Sequence, residues 1–241
     1  RAIQQTSDGG YIVAGEAYTS DAGSNMLVLK LDGGGNVAWQ KEYKNAFYNS
    51  AGDVRQTTDG GYVVAGYTSN GSPDAWVLKL KDSGDIVWQK TYGGPDDDIA
   101  YSVRQTLEGG YIVAGSTGSF GSGGSDAWVL KLDGTGAVAW QKAYGGTDDD
   151  AAYAVRQSSD GGYIVAGYAA SFGVGSADAW VFKLNSYGVA PLLGNDTNAV
   201  VTDTGAVAST ALFTPYLTQI APAGSAAEVT STRFTINQQT S

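Results

Sequence analysis

The chain has 241 residues, 42% of them hydrophobic, which is enough for a substantial folded core. Its net charge is −10 and its few Lys and Arg residues are not clustered, so nucleic acid and anionic membranes are poor partners. The lack of Cys and His removes disulfide bonds, thiol nucleophiles, the usual zinc ligand sets and the commonest general base.

One sequence unit is repeated four times. It begins as DGGYIVAG at Asp8 and returns from Asp59, Glu108 and Asp160, with a period of about fifty residues. A second segment follows each copy, NMLVLKL in the first unit and DAWVLKL or DAWVFKL in the others. Such a period predicts one supersecondary unit copied four times.

Each unit contains four β-like runs separated by turns rich in Gly, Asp and Ser. In the second unit these runs are SAGDVRQT, GGYVVAG, DAWVLKL and DIVWQKTY. The short connections predict an antiparallel four-stranded meander. In DAWVLKL both faces are largely apolar, with Trp76 and Leu78 on one side and Ala75 and Val77 on the other.

Sheets that are buried on both faces and repeat at this period are typical of β-propellers. We therefore predict an all-β fold with almost no helix, a four-bladed β-propeller of four-stranded antiparallel blades over residues 1–194. A β-rich C-terminal extension follows over 195–241. The competing geometry is two chains joined as eight blades around one axis. All six tryptophans are expected to be mostly buried, namely Trp39, Trp76, Trp88, Trp128, Trp140 and Trp180.

The runs LDGGGNVAWQK, KDSGDIVWQK and LDGTGAVAWQK resemble the Leu-Asp-x-x-Gly-x-x-x-Trp repeat of quinoprotein-type (PQQ-like) propellers. The whole unit, to about residue 194, is similar to propeller repeats common in uncharacterised secreted prokaryotic surface proteins. This resemblance implies that Trp39, Trp88 and Trp140 dock blade against blade. The calcium ligands and adjacent cysteines of quinone-binding members are not found in the sequence, so we expect no cofactor.

The fourth unit departs from the pattern. Leu192 stands where the other units have tryptophan, and Pro191 enters the outer strand, which predicts a short, poorly paired edge. The extension beyond it contains three apolar β-like runs that need to be covered. We expect it to add strands to a neighbouring subunit, through Pro191, Leu192, Val229, Phe234 and Ile236. The alternative is that it folds back on its own ring.

Two runs of aspartate occupy equivalent loops before the third and fourth units. Loops rich in oxygen ligands can bind calcium, so these loops are candidate calcium sites. The alternative is a structural role, in which the carboxylates cap turns and form salt bridges to Arg104 and Arg156. The four calcium candidates are Asp96, Asp98, Asp148 and Asp150.

A lysine recurs at one position of the third strand, as Lys30, Lys79, Lys131 and Lys183. A buried lysine needs an anionic partner, and the acidic residue of the DGG turn or the one that opens the third strand can supply it. Because one active site needs only one lysine, this repetition predicts a structural role.

Aromatic residues recur in and near the loops, where they could stack on sugar rings or simply pack within the loops. They are Tyr18, Tyr67, Phe120, Tyr168 and Phe172.

The residue inventory favours a non-catalytic structural protein over an enzyme. We predict a self-assembling surface or filament subunit, extracellular or on the cell surface, whose partners are copies of itself. The chain starts inside a repeat, which favours an exported chain from which a leading segment was removed, although the first blade could also simply begin there. The alternative to a self-assembling subunit is a monomeric propeller that binds glycan or protein through its loops. A quinoprotein-type enzyme is the weakest of the three hypotheses.

Overall fold

The all-β prediction is confirmed by the computed structural model. Its regular structure consists of β-strands alone among the described residues, and these include no helix that is long and apolar enough to span a bilayer. The structure describes residues 1–18, 20, 23–173, 176–190, 200–203 and 209–210.

The strands follow the predicted repeat. The first unit contains β1 (Ala2–Gln5), β2 (Tyr11–Tyr18), β3 (Ser24–Leu31) and β4 (Val37–Tyr43). The second contains β5 (Tyr48–Gln56), β6 (Tyr62–Ser69), β7 (Pro73–Leu80) and β8 (Ile86–Tyr92). The third contains β9 (Asp98–Gln105), β10 (Tyr111–Thr117), β11 (Asp126–Leu132) and β12 (Val138–Gly145). The fourth contains β13 (Asp150–Gln157), β14 (Tyr163–Ala169) and β15 (Asp178–Leu184).

Each unit is an antiparallel meander in chain order, and its first hairpin is built by the DGG turn. In the first unit Asp8 accepts hydrogen bonds from the Thr6 hydroxyl and from the backbone N–H of Gly10. Gly9 has a φ of 83°, a conformation that L side chains rarely adopt. The turn sequence therefore fixes where each meander begins.

The grouping of strands differs from four separate blades. The described strands form a nine-stranded, a five-stranded and a three-stranded sheet. The first two units count as one sheet because β3 and β5 share a single parallel bridge, Ser24 with Tyr48. The fourth unit has three strands in the described part of the chain, and its expected outer strand lies outside the described residues.

Successive units stack face to face. The first strands of neighbouring units, β1, β5, β9 and β13, lie beside one another, and the second strands pack on the neighbouring unit. In the described part of the chain, extensive contacts join the first unit to the second, the second to the third and the third to the fourth, but not the fourth to the first. The stack therefore has two ends.

Two short segments of the C-terminal extension are described. Strand β16 (Val200–Asp203) pairs with β12, and β17 (Ser209–Thr210) pairs with β8 of the same chain. These six residues extend the outer edges of the third and second units, as in the fold-back alternative. The predicted contact residues Pro191, Leu192, Val229, Phe234 and Ile236 lie outside the described residues.

Candidate functional site at the faces of the units

Every unit has two apolar faces, and each face meets a different neighbour. The forward face packs against the following unit, and the backward face packs against the preceding one. In the third unit the forward face consists of Ile112, Ala114, Ala127 and Val129. Its backward face consists of Val103, Tyr111, Val113, Trp128, Leu130 and Leu132. This alternation along each strand confirms the prediction of two-sided burial.

Three core clusters are the three interfaces between units. In the interface between the third and fourth units, Val129 of the forward face shares a cluster with Val155 and Phe182 of the backward face. The same positions form the other two clusters, between the first and second units and between the second and third. The core of the molecule thus lies between the units rather than within any one of them.

Tryptophan on the outer strand locks each interface, as the resemblance implied. Trp39 donates its indole N–H to the carbonyl of Asp82 in the next unit at 3.0 Å, and its ring meets Tyr62 edge-on at 5.9 Å. A methyl group added at Gly84 would lie 3.0 Å from that ring, so the approach requires glycine. Trp88 and Trp140 donate in the same way to Gly134 and Ser186.

A tyrosine four residues farther along the outer strand makes a second bond across the interface. The Tyr43 hydroxyl donates to the Gly84 carbonyl at 2.6 Å, and Tyr92 donates to the Gly136 carbonyl at 2.7 Å. Burial and the nearby Asp85 raise the pKa of Tyr43 well above its usual range. The hydroxyl therefore stays protonated and remains a donor at any physiological pH.

A glutamine makes the third repeated bond. The side-chain oxygen of Gln56 accepts from the backbone N–H of Ser7 in the preceding unit at 2.8 Å. Gln105 and Gln157 accept from Thr58 and Leu107 at the same distance. Sequence reasoning missed this glutamine, although its recurrence in the VRQ segment of the last three units was a visible signal.

The repeated lysines have the predicted structural partner. Each ammonium group lies 2.7–3.0 Å from the acidic residue of the DGG turn in its own unit: Asp8, Asp59, Glu108 or Asp160. Burial alone would raise the pKa of Asp59, but hydrogen bonds from Thr57, Lys79 and Gly61 lower it to about 2. Because the turn and the third strand are tied together in this way, we assign the lysines a structural role.

The calcium candidates occupy loop-capping positions. Asp98 and Asp150 are fully buried, and each accepts hydrogen bonds from loop groups such as the backbone N–H of Gly94 and the hydroxyl of Ser171. Asp96 and Asp148 lie on the exposed part of the same loops. Among the described residues, no group of three or more acidic side chains is placed to share one metal ion.

The expected salt bridge from these loops to Arg104 is wrong. Arg104 instead pairs with Asp53 of the preceding unit, which also binds Arg55. Asp98 and Asp150 are held by backbone and serine donors, so they do not depend on an arginine. No salt bridge of Arg156 is found within the described residues.

A carboxylate from the preceding unit lies beside each of these loops, buried as Asp126 in one and half-buried as Asp74 in the other. Asp126 is nearly fully buried. Burial raises the pKa of its carboxyl group, and the negative charge of Asp150 raises it further, to about 6. Gly145 lies against both carboxylates, and any side chain there would collide with them. Asp74 and Asp98 form the equivalent pair one interface earlier, and burial with the charge of Asp98 raises the pKa of Asp74.

The loop aromatics divide into two groups. Phe120 and Phe172 pack on Trp128 and Trp180, with ring centroids 5.9 and 5.7 Å apart, and Tyr67 is half-buried. Tyr18 is exposed. Tyr168 lies 5.7 Å from Tyr153, which in turn lies 5.0 Å from Tyr101.

The two ends of the stack expose apolar side chains whose equivalents are buried at the interfaces between units. Val129 and Ile112 on the third unit are fully buried, whereas the aligned Val181 and Ile164 on the fourth are 63% and 39% exposed. On the first unit Ile3 is 61% exposed, whereas the aligned Val155 is 1% exposed. The candidate functional site is therefore this pair of matching end faces.

A scan against protein-family models finds no match for the chain, and a search among curated proteins also finds none.

Proposed function

We propose that the chain is a non-catalytic structural protein of propeller type whose copies assemble with one another. Each unit would be one propeller blade, as in the quinoprotein-type repeat it resembles, and the protein would act outside the cell or on its surface. The observation that carries this proposal is the pair of apolar end faces, which match the three interfaces inside the chain. No cofactor enters the proposal.

The recurring polar groups support a structural role over a catalytic one. The lysines, hairpin acids, glutamines and outer-strand aromatics are each used the same way in several units. An active site is normally assembled once, from groups whose environments differ from one another. Repetition of the same contact is what a stack of identical interfaces needs.

The test is the mass of the full chain in solution, measured by light scattering over a range of concentrations, together with electron micrographs of the native protein. We expect assemblies of at least two chains, because two apolar faces otherwise remain in water. A strictly monomeric protein at every concentration would contradict the proposal. Activity toward alcohols after addition of quinone and calcium would contradict its non-catalytic part.

The C-terminal extension needs a separate experiment. Its residues beyond 194 were expected to contact a neighbouring subunit, whereas β16 and β17 pair within the chain. We propose to delete everything after Gly194 and to repeat the mass measurement. Loss of assembly would favour the extension as the contact, and unchanged assembly would favour the end faces.

A second candidate function is supported by one observation. Tyr168 lines a cleft of about 630 Å³ together with Asp148 and Asp149. Its ring lies 5.7 Å from that of Tyr153, which lies 5.0 Å from that of Tyr101. Aromatic faces beside carboxylates suit a carbohydrate, because the ring stacks on the sugar and the oxygens accept its hydroxyls. Tyr168→Ala should abolish retention on a glycan column, with Tyr18→Ala, at an exposed tyrosine of the first unit, as the control.

A further inference from the structure

We infer that the forward face of the fourth unit docks on the backward face of the first unit of a second copy of this chain. This inference rests on the proposed function and identifies the contact through which copies assemble. It is argued from the three interfaces already present in the chain. The new contact would repeat their apolar cluster and their glutamine bond, but not their tryptophan, since Leu192 stands at that position of the fourth unit.

The apolar part of the contact is complementary by repetition. Val129 and Val155 belong to one buried cluster between the third and fourth units. The residues aligned with them at the ends of the stack are Val181 and Ile3, both more than half exposed. Docking would place these two side chains in one buried cluster, as their aligned residues are in all three internal interfaces.

The donor and the acceptor of the repeated glutamine hydrogen bond are also both present at the ends of the stack. In the three internal interfaces a glutamine accepts from a backbone N–H of the preceding hairpin. The aligned hairpin residue on the fourth unit is Ser159, which is exposed. In the described part of the chain, no following unit supplies a glutamine to accept from its N–H. The aligned glutamine on the first unit is Gln5, which is also exposed. Docking would bring Gln5 to the N–H of Ser159.

The first unit also has the glycine that, in the later units, contacts a tryptophan ring of the preceding unit. Gly84, Gly136 and Gly188 each lie against the ring of a tryptophan from the preceding unit, with a methyl group at those positions 2.8–3.0 Å from it. Gly35 also has a positive φ, of 84°, yet nothing lies within 4 Å of a methyl group placed there. The backward face of the first unit is thus uncovered at this position, where the sequence of the fourth unit offers Leu192 in place of a tryptophan.

The occupant is a second copy rather than the same chain. A ring of four units closes only when each unit is turned by a quarter of a circle from the last. The fourth unit makes no extensive contact with the first in the described part of the chain. The three interfaces between successive units therefore do not complete a circle. Propellers have up to about eight blades, and two copies of this chain supply eight units.

Cross-linking distinguishes these occupants. The chain has no cysteine, so Ile3→Cys with Val181→Cys introduces two thiols and no others. We expect a short bismaleimide to join two copies and double the mass. A link within one chain, or no link, would overturn the inference. Ile3→Cys with Leu107→Cys is the matched control, because Leu107 is 89% exposed on a hairpin of the third unit.

Charge substitutions test the same surface without a reagent. Val181→Asp and Ile3→Asp change exposed side chains, so each variant should fold like the parent chain in circular dichroism. Each should remain monomeric alone, and a one-to-one mixture should form pairs through the remaining intact faces. Leu107→Asp should assemble like the parent.

The outcomes separate this inference from the proposed function. If the parent assembles and the two charged variants assemble equally well, the docking surface is wrong while self-assembly stands. If the parent never assembles, both fail together.

Discussion

The third and fourth units have almost the same sequence and bury it differently. DAWVLKL in the third unit is buried along its whole length, whereas in DAWVFKL of the fourth unit alternate residues are exposed. The difference comes from the neighbour, because in the described part of the chain the third unit has a neighbouring unit on each side and the fourth has one on a single side. The repeat therefore specifies a pair of faces, and stability depends on whether each face is covered.

The largest effect is expected from removing a tryptophan of the third strand. Trp128 is fully buried, and Trp128→Ala should cost about 3–5 kcal/mol because it leaves a large cavity between two units. Trp180, at the aligned position of the fourth unit, is only partly buried, so Trp180→Ala should cost less. Denaturant unfolding of the two variants would measure the difference, and equal losses would contradict the comparison.

A smaller effect is expected at the hairpin acids. The side chain of Lys79 is 6% exposed and that of Lys183 is 33% exposed, so the first depends more on its carboxylate partner. Asp59→Ala should lower the free energy of unfolding by about 1.5–3 kcal/mol because it leaves a buried ammonium group without that partner. Asp160→Ala is the control at the end of the stack and should cost less than half as much.

The buried acid pair predicts a specific pH dependence. The pKa of Asp126 rises from 3.8 to about 6 on folding, so the folded state binds its proton more tightly than the unfolded state does. This contribution to the free energy of unfolding is therefore lost as pH rises through that range. Asp126→Asn should flatten the slope and stabilise the protein at pH 7 by on the order of 1–3 kcal/mol.

Asp133→Asn is the matched control for this measurement. Asp133 is exposed, and hydrogen bonds from Thr135 and from the N–H of Ala137 lower its pKa. Its contribution is present above its ordinary pKa and is lost as pH falls. The control should leave the slope between pH 3.8 and about 6 unchanged.

The smallest effect is expected at the glutamines. Gln105→Ala removes one hydrogen bond between units and should cost about 0.5–1.5 kcal/mol. Gln5→Ala should have almost no effect on a single chain, because the side chain of Gln5 is exposed. It should weaken assembly instead, which light scattering at low concentration would detect. A loss of monomer stability at Gln5 equal to that at Gln105 would contradict the proposed register.

Local features of the fold were predictable from the sequence. The DGG turn and the alternation in DAWVLKL follow from residue chemistry within one or two strands, whereas the docking of Trp39 on the next unit was implied by the family resemblance. The number of sheets was not predictable, because a single bridge between Ser24 and Tyr48 merges two units into one sheet. Whether a ring closes depends on the angle between units, which is set by many side-chain volumes together.

The polar contacts show the same limit. The partner of Lys79 was predictable because Asp59 lies on the adjacent hairpin of the same unit. The partner of Arg104 was not, because Asp53 belongs to the preceding unit and no local spacing relates the two. The end faces were missed for a similar reason, since exposure of Val181 depends on an absent neighbour rather than on its own strand.

The order of the interfaces along the chain has a consequence for synthesis. Each unit packs on the unit that follows it in sequence, so its forward face can be covered as soon as about fifty further residues have left the ribosome. Folding can then proceed unit by unit during translation, with one exposed apolar face at a time on the growing end. In the described part of the chain no later unit makes extensive contact with the backward face of the first unit, so that face stays exposed after the others are covered. That face is the one most in need of a chaperone, or of a neighbouring nascent chain on the same messenger RNA.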